Sequence, residues 1–240
     1  MTNEPVFIAL DFENERLAWQ FLEQFGTQRP AVKVGMELFY VAGPAFIRAL
    51  KTAGYVVFLD LKMYDIPNTV GKATQNIAGL GVDYLTVHAA GGERMMRAAA
   101  LGARNGQKVN QSPLKILAIT QLTSFSNAEM QATQLISVPL SESVLHLAKL
   151  AEKSGLAGVI SSAHESRAIH QVTRADFLSV TPGIRFIDDD QGDQQRITTP
   201  AKAKQLGADG LVIGRSITGA KDPVVAYYRA LQNYHEGDES

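Results

Sequence analysis

Four glycines constrain the fold of this chain more than any compositional figure. Gly54, Gly81, Gly155 and Gly207 each close an amphipathic helical pattern just before a short apolar run. A helix commonly ends on a left-handed residue, which glycine supplies without steric cost. The repeated unit of helix, glycine and strand is the local grammar of α/β folds. The apolar runs are Val6–Leu10, Ala31–Val34, Val56–Asp60, Tyr84–Val87, Ile116–Thr120, Gly158–Ser161, Phe177–Val180 and Gly210–Ile213. They are mostly too short for helices. Several lack polar alternation, as strands buried on both faces of a parallel sheet do. Between them, Leu17, Phe21, Leu22 and Phe25 share one helical face, and Val70, Ala73, Ile77 and Leu80 share another. Gly43-Pro44, Thr199-Pro200 and Asp222-Pro223 read as helix starts. Eight strands alternating with helices over 240 residues predict a (β/α)8 TIM barrel, with a doubly wound sheet as the alternative.

No linker or composition shift divides the chain, so a single domain over residues 1–240 is expected, with a frayed polar tail at 235–240. The longest stretches without clear pattern are Ser124–Pro139 and Gly183–Thr198, and loops of that length usually carry function.

Composition removes several function classes. A net charge of -1 gives no general attraction to nucleic acid or to an acidic membrane, and no basic stripe with interleaved aromatics is present. With no cysteine, disulfides, thiolate metal sites and cysteine nucleophiles are all excluded. The polar, acidic start Met1-Thr2-Asn3-Glu4-Pro5 is unlike a signal peptide, and no apolar run has the length of a membrane span. A cytoplasmic protein is the expectation. HExxH, Walker A, EF-hand and Gly-x-Ser-x-Gly signatures are absent, and His146, His164 and His170 lack metal-ligand spacing. His88, at the end of the fourth strand, reads as a hydrogen-bonded structural histidine.

Charge gathers where the strands end. Asp11 follows the first strand, Lys33 lies in the second, and Asp60 and Lys62 end the third within Asp60-Leu61-Lys62-Met63-Tyr64-Asp65. Alternation along a strand points Asp60 and Lys62 to the same side. In a barrel these ends surround one mouth, where charges must pair and face a cavity. A single such pair reads best as a structural salt bridge; four charges on consecutive strand ends read as a site. The eighth strand runs into Ile213-Gly214-Arg215, which fits a phosphate, because barrels often bind phosphate after their last strands. Arg215 offers a forked, permanent positive charge. Thr181-Pro182-Gly183-Ile184-Arg185 opens the second long loop, which carries Gln194 and has the makings of a closing element.

These residues resemble a known family. Asp60-Leu61-Lys62-Met63-Tyr64-Asp65-Ile66-Pro67-Asn68-Thr69 is similar to the signature of the orotidine 5'-monophosphate decarboxylases, in their shorter bacterial form. Asp11, Lys33 in Val32-Lys33-Val34-Gly35, Thr123, Thr181-Pro182-Gly183-Ile184-Arg185, Asp193-Gln194 and Gly214-Arg215 match in order. The resemblance implies a cofactor-free, metal-free decarboxylase that works as a homodimer on a nucleotide. It implies Lys62 as proton donor, Asp60 beside the substrate carboxylate, and Lys33 and Asp11 on the ribose. Asp65 and Thr69 would reach the neighbouring subunit's site, Thr123 the pyrimidine, and Gln194, Arg185, Gly214 and Arg215 the phosphate.

A magnesium-dependent sugar-phosphate lyase of the same superfamily resembles the chain at Asp-x-Lys-x-x-Asp. It needs an acid at the second strand end, where this chain has Lys33. A non-catalytic phosphate-binding barrel would need the phosphate residues but not Lys33, Asp60 and Lys62.

Overall fold

A computed structural model describes residues 5–109, 111–187, 189 and 198–237. Eight parallel strands close on themselves in chain order: β1 (Val6–Ala9), β2 (Val32–Gly35), β3 (Val57–Met63), β4 (Tyr84–His88), β5 (Lys115–Ile119), β6 (Gly158–Ile160), β7 (Leu178–Thr181) and β8 (Gly210–Ile213). β1 pairs with both β2 and β8, which completes the barrel and decides against a doubly wound sheet. Helices return the chain from each strand to the next: α1 (Glu15–Glu23), α2 (Met36–Thr52), α3 (Pro67–Ala78), α4 (Gly92–Gly106), α5 (Asn127–Gln134), α6 (Leu140–Lys153), α7 (Ala163–His170) and α8 (Pro200–Gln205). The short α9 (Arg215–Thr218) and α10 (Pro223–Glu236) follow β8.

The anticipated left-handed glycines are in place, with φ of 88° at Gly54, 85° at Gly81, 81° at Gly155 and 93° at Gly207. α2 breaks at Gly43, φ 67°, and Pro44 starts its second half. Asp222 caps α10 by accepting from the amides of Val224 and Val225. The barrel interior is plugged by Phe7, Phe58, Tyr84, Leu117, Ile119, Ile160 and Val180. Phe7 meets the Phe58 and Tyr84 rings edge-on at 5.2 and 5.1 Å. The space between strands and helices forms the larger core. Among the described residues no helix is long and apolar enough to cross a membrane.

Three expectations are corrected. The Ser124–Pro139 stretch contains α5, whose start is a capping box in which Ser126 and Glu129 exchange side-chain and backbone hydrogen bonds. The expected frayed tail at 235–240 is corrected only at its start, since α10 is helical to Glu236, while 238–240 lie outside the described residues. Gly237 caps α10, Gln205 donates to the Gly237 carbonyl at 3.0 Å, and the buried Tyr234 hydroxyl donates to the Ala208 carbonyl at 2.7 Å. The third strand does not end at Asp60 but runs on to Met63, through an irregularity that shapes the site.

Candidate active site

The strand-end charges resolve into two ion pairs at the barrel mouth. On β1, alternation carries the chain from Phe7 in the interior plug to Ala9 and then Asp11, both of which line a cavity of about 450 Å³. On β3 it carries Phe58 to Asp60 in the same way. Lys33 lies in register with Phe58 and with Ala9, so its side chain enters the same space. The buried Lys33 ammonium donates to Asp11 Oδ1 at 2.6 Å, whereas the Asp11 side chain is about half exposed. Lys62 Nζ donates to Asp60 Oδ2 at 2.7 Å. Pairing is what makes these charges tolerable at the end of an apolar core.

β3 departs from regular strand geometry between the two partners. Leu59 pairs with Leu85 and Met63 with Val87, so four steps along β3 match two along β4. Lys62 sits in this bulge with φ of 49°, a left-handed conformation that costs an L-residue about 1–2 kcal/mol. Simple alternation therefore does not explain why Asp60 and Lys62 meet; the bulge re-aims the lysine. Opposite the bulge stands Thr86, fully buried on β4. Its Oγ1 accepts from the Lys62 amide at 2.8 Å and donates to Asp60 Oδ1 at 2.8 Å.

His88 ends β4 beside them. Burial pushes its imidazole below the ordinary histidine range, and the nearby Lys62 ammonium pushes the same way. The Tyr64 ring stacks on it at 5.6 Å, and its Nδ1 accepts from the Ala90 amide at 3.4 Å.

Across the mouth, Pro182, Gly183 and Arg185 after β7, with Gly214 and Arg215 after β8, line the same cavity. Arg185 is buried, and its guanidinium donates to the Ile184 carbonyl at 2.9 Å. The second long loop is closed at its base. The Arg185 amide donates to the Thr198 carbonyl at 3.1 Å, and Ile184 bridges Thr198 in parallel. One side of the cavity thus carries alternating acids and lysines. The other carries two guanidinium groups, an arrangement for a ligand with a charged tail.

Asp11, Lys33, Asp60, Arg185, Gly214 and Arg215 share this cavity, and Lys62 joins it through Asp60. Thr123 lies half-buried on the connection after β5 and is not among the lining residues. Asp65 and Thr69 are exposed, before and within α3; Asp65 Oδ1 accepts from the Ile66 amide at 2.6 Å. Gln194 lies outside the described residues. Two contributors escaped sequence reasoning. Thr86 is a hydroxyl in the middle of Tyr84-Leu85-Thr86-Val87, a run that otherwise reads as apolar, and such a group needs a partner. Gly35 ends β2 where a side chain would press on the pair: a Cβ there would lie 3.1 Å from Lys33 Nζ and 3.6 Å from Asp11 Oδ1.

Known proteins are similar to the chain over nearly its whole length. Residues 4–230 match the model of the "Orotidine 5'-phosphate decarboxylase / HUMPS family". The chain is 52% identical to the orotidine 5'-phosphate decarboxylase of Oenococcus oeni, covering 97% of this chain and 99% of that protein. It is 54% identical to that of Latilactobacillus sakei, over 95% of each. The crystal structure of orotidine 5'-phosphate decarboxylase from Lactobacillus acidophilus superposes with a TM-score of 0.86 at 43% identity, covering 96% of this chain and 98% of that one. On this similarity the chain belongs to the orotidine 5'-phosphate decarboxylase / HUMPS family.

Proposed function

We propose that the chain converts orotidine 5'-monophosphate to uridine 5'-monophosphate, the last step of de novo pyrimidine nucleotide synthesis, as a single-domain, cofactor-independent carboxy-lyase. The observation that carries this reading is the Lys62–Asp60 pair at 2.7 Å, on a cavity that also holds Lys33, Asp11, Arg185 and Arg215. Loss of CO2 from C6 of the pyrimidine leaves an electron pair in the ring plane, outside the π system, where no electron sink reaches it. An ammonium fixed beside C6 stabilises that charge and then delivers the proton. Lys62 has this role, and Asp60 both orients it and lies beside the departing carboxylate. Lys33 and Asp11 hold the ribose. Thr123 contacts the pyrimidine. Arg185, Arg215, the Gly214 backbone and Gln194 take the phosphate, so remote binding energy serves the reacting centre. Enzymes supply about 8–23 kcal/mol to their reactions, and a carbanion without delocalisation calls for the upper part.

The same reading makes the active unit a homodimer in which Asp65 and Thr69 complete the neighbouring site. Asp65 is exposed rather than drawn into its own chain's ion pairs. It lies between the exposed Tyr64 and Ile66, and Tyr40 and Val41 in α2 are exposed as well. Large apolar side chains around a charged residue are what a subunit interface covers.

Mixing the purified protein with orotidine 5'-monophosphate tests the activity. The pyrimidine absorbance should change, and the change should persist in EDTA. Lys62→Ala should slow turnover by at least about 100-fold, the usual contribution of a positioned proton donor. A wild-type protein that leaves the spectrum unchanged under all conditions sinks the proposal; activity abolished by EDTA points to metal-dependent chemistry instead.

A further inference from the structure

We propose that Thr86 is a positioning residue for proton delivery: its buried hydroxyl locks the bulge that carries Lys62 to the carboxylate that grips the same lysine's ammonium. The inference deepens the decarboxylase reading above and rests on it.

The direction of both Thr86 hydrogen bonds is forced by chemistry. The Lys62 backbone N–H only donates, so Thr86 Oγ1 must accept from it, at 2.8 Å. The ionised Asp60 carboxylate only accepts, so the threonine proton must go to Oδ1, also at 2.8 Å. Asp60 Oδ2 is engaged by Lys62 Nζ at 2.7 Å. A closed ring results: Lys62 amide, Thr86 hydroxyl, Asp60 carboxylate, Lys62 ammonium. One hydroxyl thus restrains both ends of the lysine, its backbone directly and its charged tip through Asp60.

The location explains the need for such a restraint. Lys62 occupies a left-handed backbone conformation in a bulge where regular pairing with β4 lapses between Leu59 and Met63. Strain of this kind persists only where surrounding contacts over-determine it. Thr86 is the β4 residue between the partners Leu85 and Val87, so it faces the bulge directly. It is fully buried and does not line the cavity, so it acts through Asp60 and Lys62 rather than on a ligand. An ammonium that must meet one ring carbon needs this kind of second support, because small displacements of reacting groups are costly.

The test separates the hydroxyl from the fold. Thr86→Val keeps shape and branching but loses the hydroxyl; Thr86→Ser keeps the hydroxyl and loses a methyl. For Thr86→Val, kcat should fall about 10- to 100-fold, the range for loss of a supporting hydrogen bond, with KM within about threefold of wild type. Thr86→Ser should recover most of kcat. Amide hydrogen exchange at Lys62, followed by NMR, should accelerate in Thr86→Val and stay slow in Thr86→Ser. If Thr86→Val does not fold, Thr86→Ala against Thr86→Ser repeats the comparison with the methyl missing from both. A Thr86→Val enzyme with wild-type kcat, or a Thr86→Ser enzyme as impaired as Thr86→Val, overturns the proposal. So does a rise in KM alone. Should the wild type not turn over the nucleotide, the decarboxylase reading falls. The Lys62 exchange rates then decide by themselves whether Thr86 holds the bulge.

Discussion

At Gly35 one missing side chain decides whether an ion pair fits. The residue ends β2 and starts α2, and its bare Cα faces Lys33 Nζ and Asp11 Oδ1. A methyl there would sit 3.1 Å from the ammonium, the far end of a flexible side chain that can move aside. Gly35→Ala should therefore leave thermal stability almost unchanged while displacing Lys33 from Asp11. Because Asp11 is half exposed, a weakened contact costs well under about 1 kcal/mol of stability, whereas a shifted Lys33 should show as a lower kcat/KM. A large fall in melting temperature with kcat/KM intact would contradict this assignment. Residues of this scale differ in how legible they are. Asp11, Lys33 and Asp60 stand out because ionisable groups at the ends of apolar strands are costly without a purpose. Thr86 and Gly35 do not stand out, because a threonine in a strand and a glycine at a helix start are both ordinary. Their roles appear only when register places them opposite Lys62 and beside Lys33.

At the scale of elements, β3 is where sequence reasoning and structure part. Strict alternation puts Asp60 and Lys62 on one side, and the two do meet, but through two extra residues in the ladder and a left-handed lysine. Nothing local marks that bulge, since the residue with positive φ is neither glycine nor asparagine. The eight strands and most helices were legible because each carries a period, a cap or a terminal glycine. α5 was legible in principle from Ser126 and Glu129, but its polar sequence offered little apolar periodicity. The close packing of α3 on α4 was not legible. It depends on Gly102 facing Gly71 and Gly106 facing Gln75, where an added methyl would overlap the Gly71 or the Gln75 carbonyl. The bulge yields its own prediction. Lys62→Gly and Lys62→Ala both remove the ammonium and should both be inactive. In a regular strand glycine is the less stable of such a pair by roughly 0.5–1 kcal/mol. Here the order should invert, with Lys62→Gly more stable by about 1 kcal/mol, because alanine keeps the left-handed strain. Urea unfolding of the two variants measures the difference. Alanine equal to or better than glycine would mean that the bulge relaxes once the lysine is gone.

At the scale of the whole molecule, the barrel gathers residues from five strand ends yet leaves one member of the charge motif outside. Asp60 and Lys62 pair within the chain, whereas Asp65, three residues on, is exposed. The bulge accounts for the divergence: beyond Met63 the strand has ended, and α3 carries the chain away from the mouth. A carboxylate placed there is poorly set for its own chain's site, which is why the proposed function assigns it to the neighbour's. In the proposed twofold dimer each chain would give Asp65 and receive one in return. Lys62→Ala and Asp65→Ala should each have little activity alone. In a hybrid of the two, one site carries both defects and the other carries neither. After subunit exchange of equal amounts, half the dimers are hybrids with one of two sites intact, so activity should recover to roughly a quarter of wild type. The recovery should grow at the rate of subunit exchange, followed independently by mixing fluorescently labelled chains. Exchange without recovery would place Asp65 in its own chain's site and remove the reason for the subunits to share one.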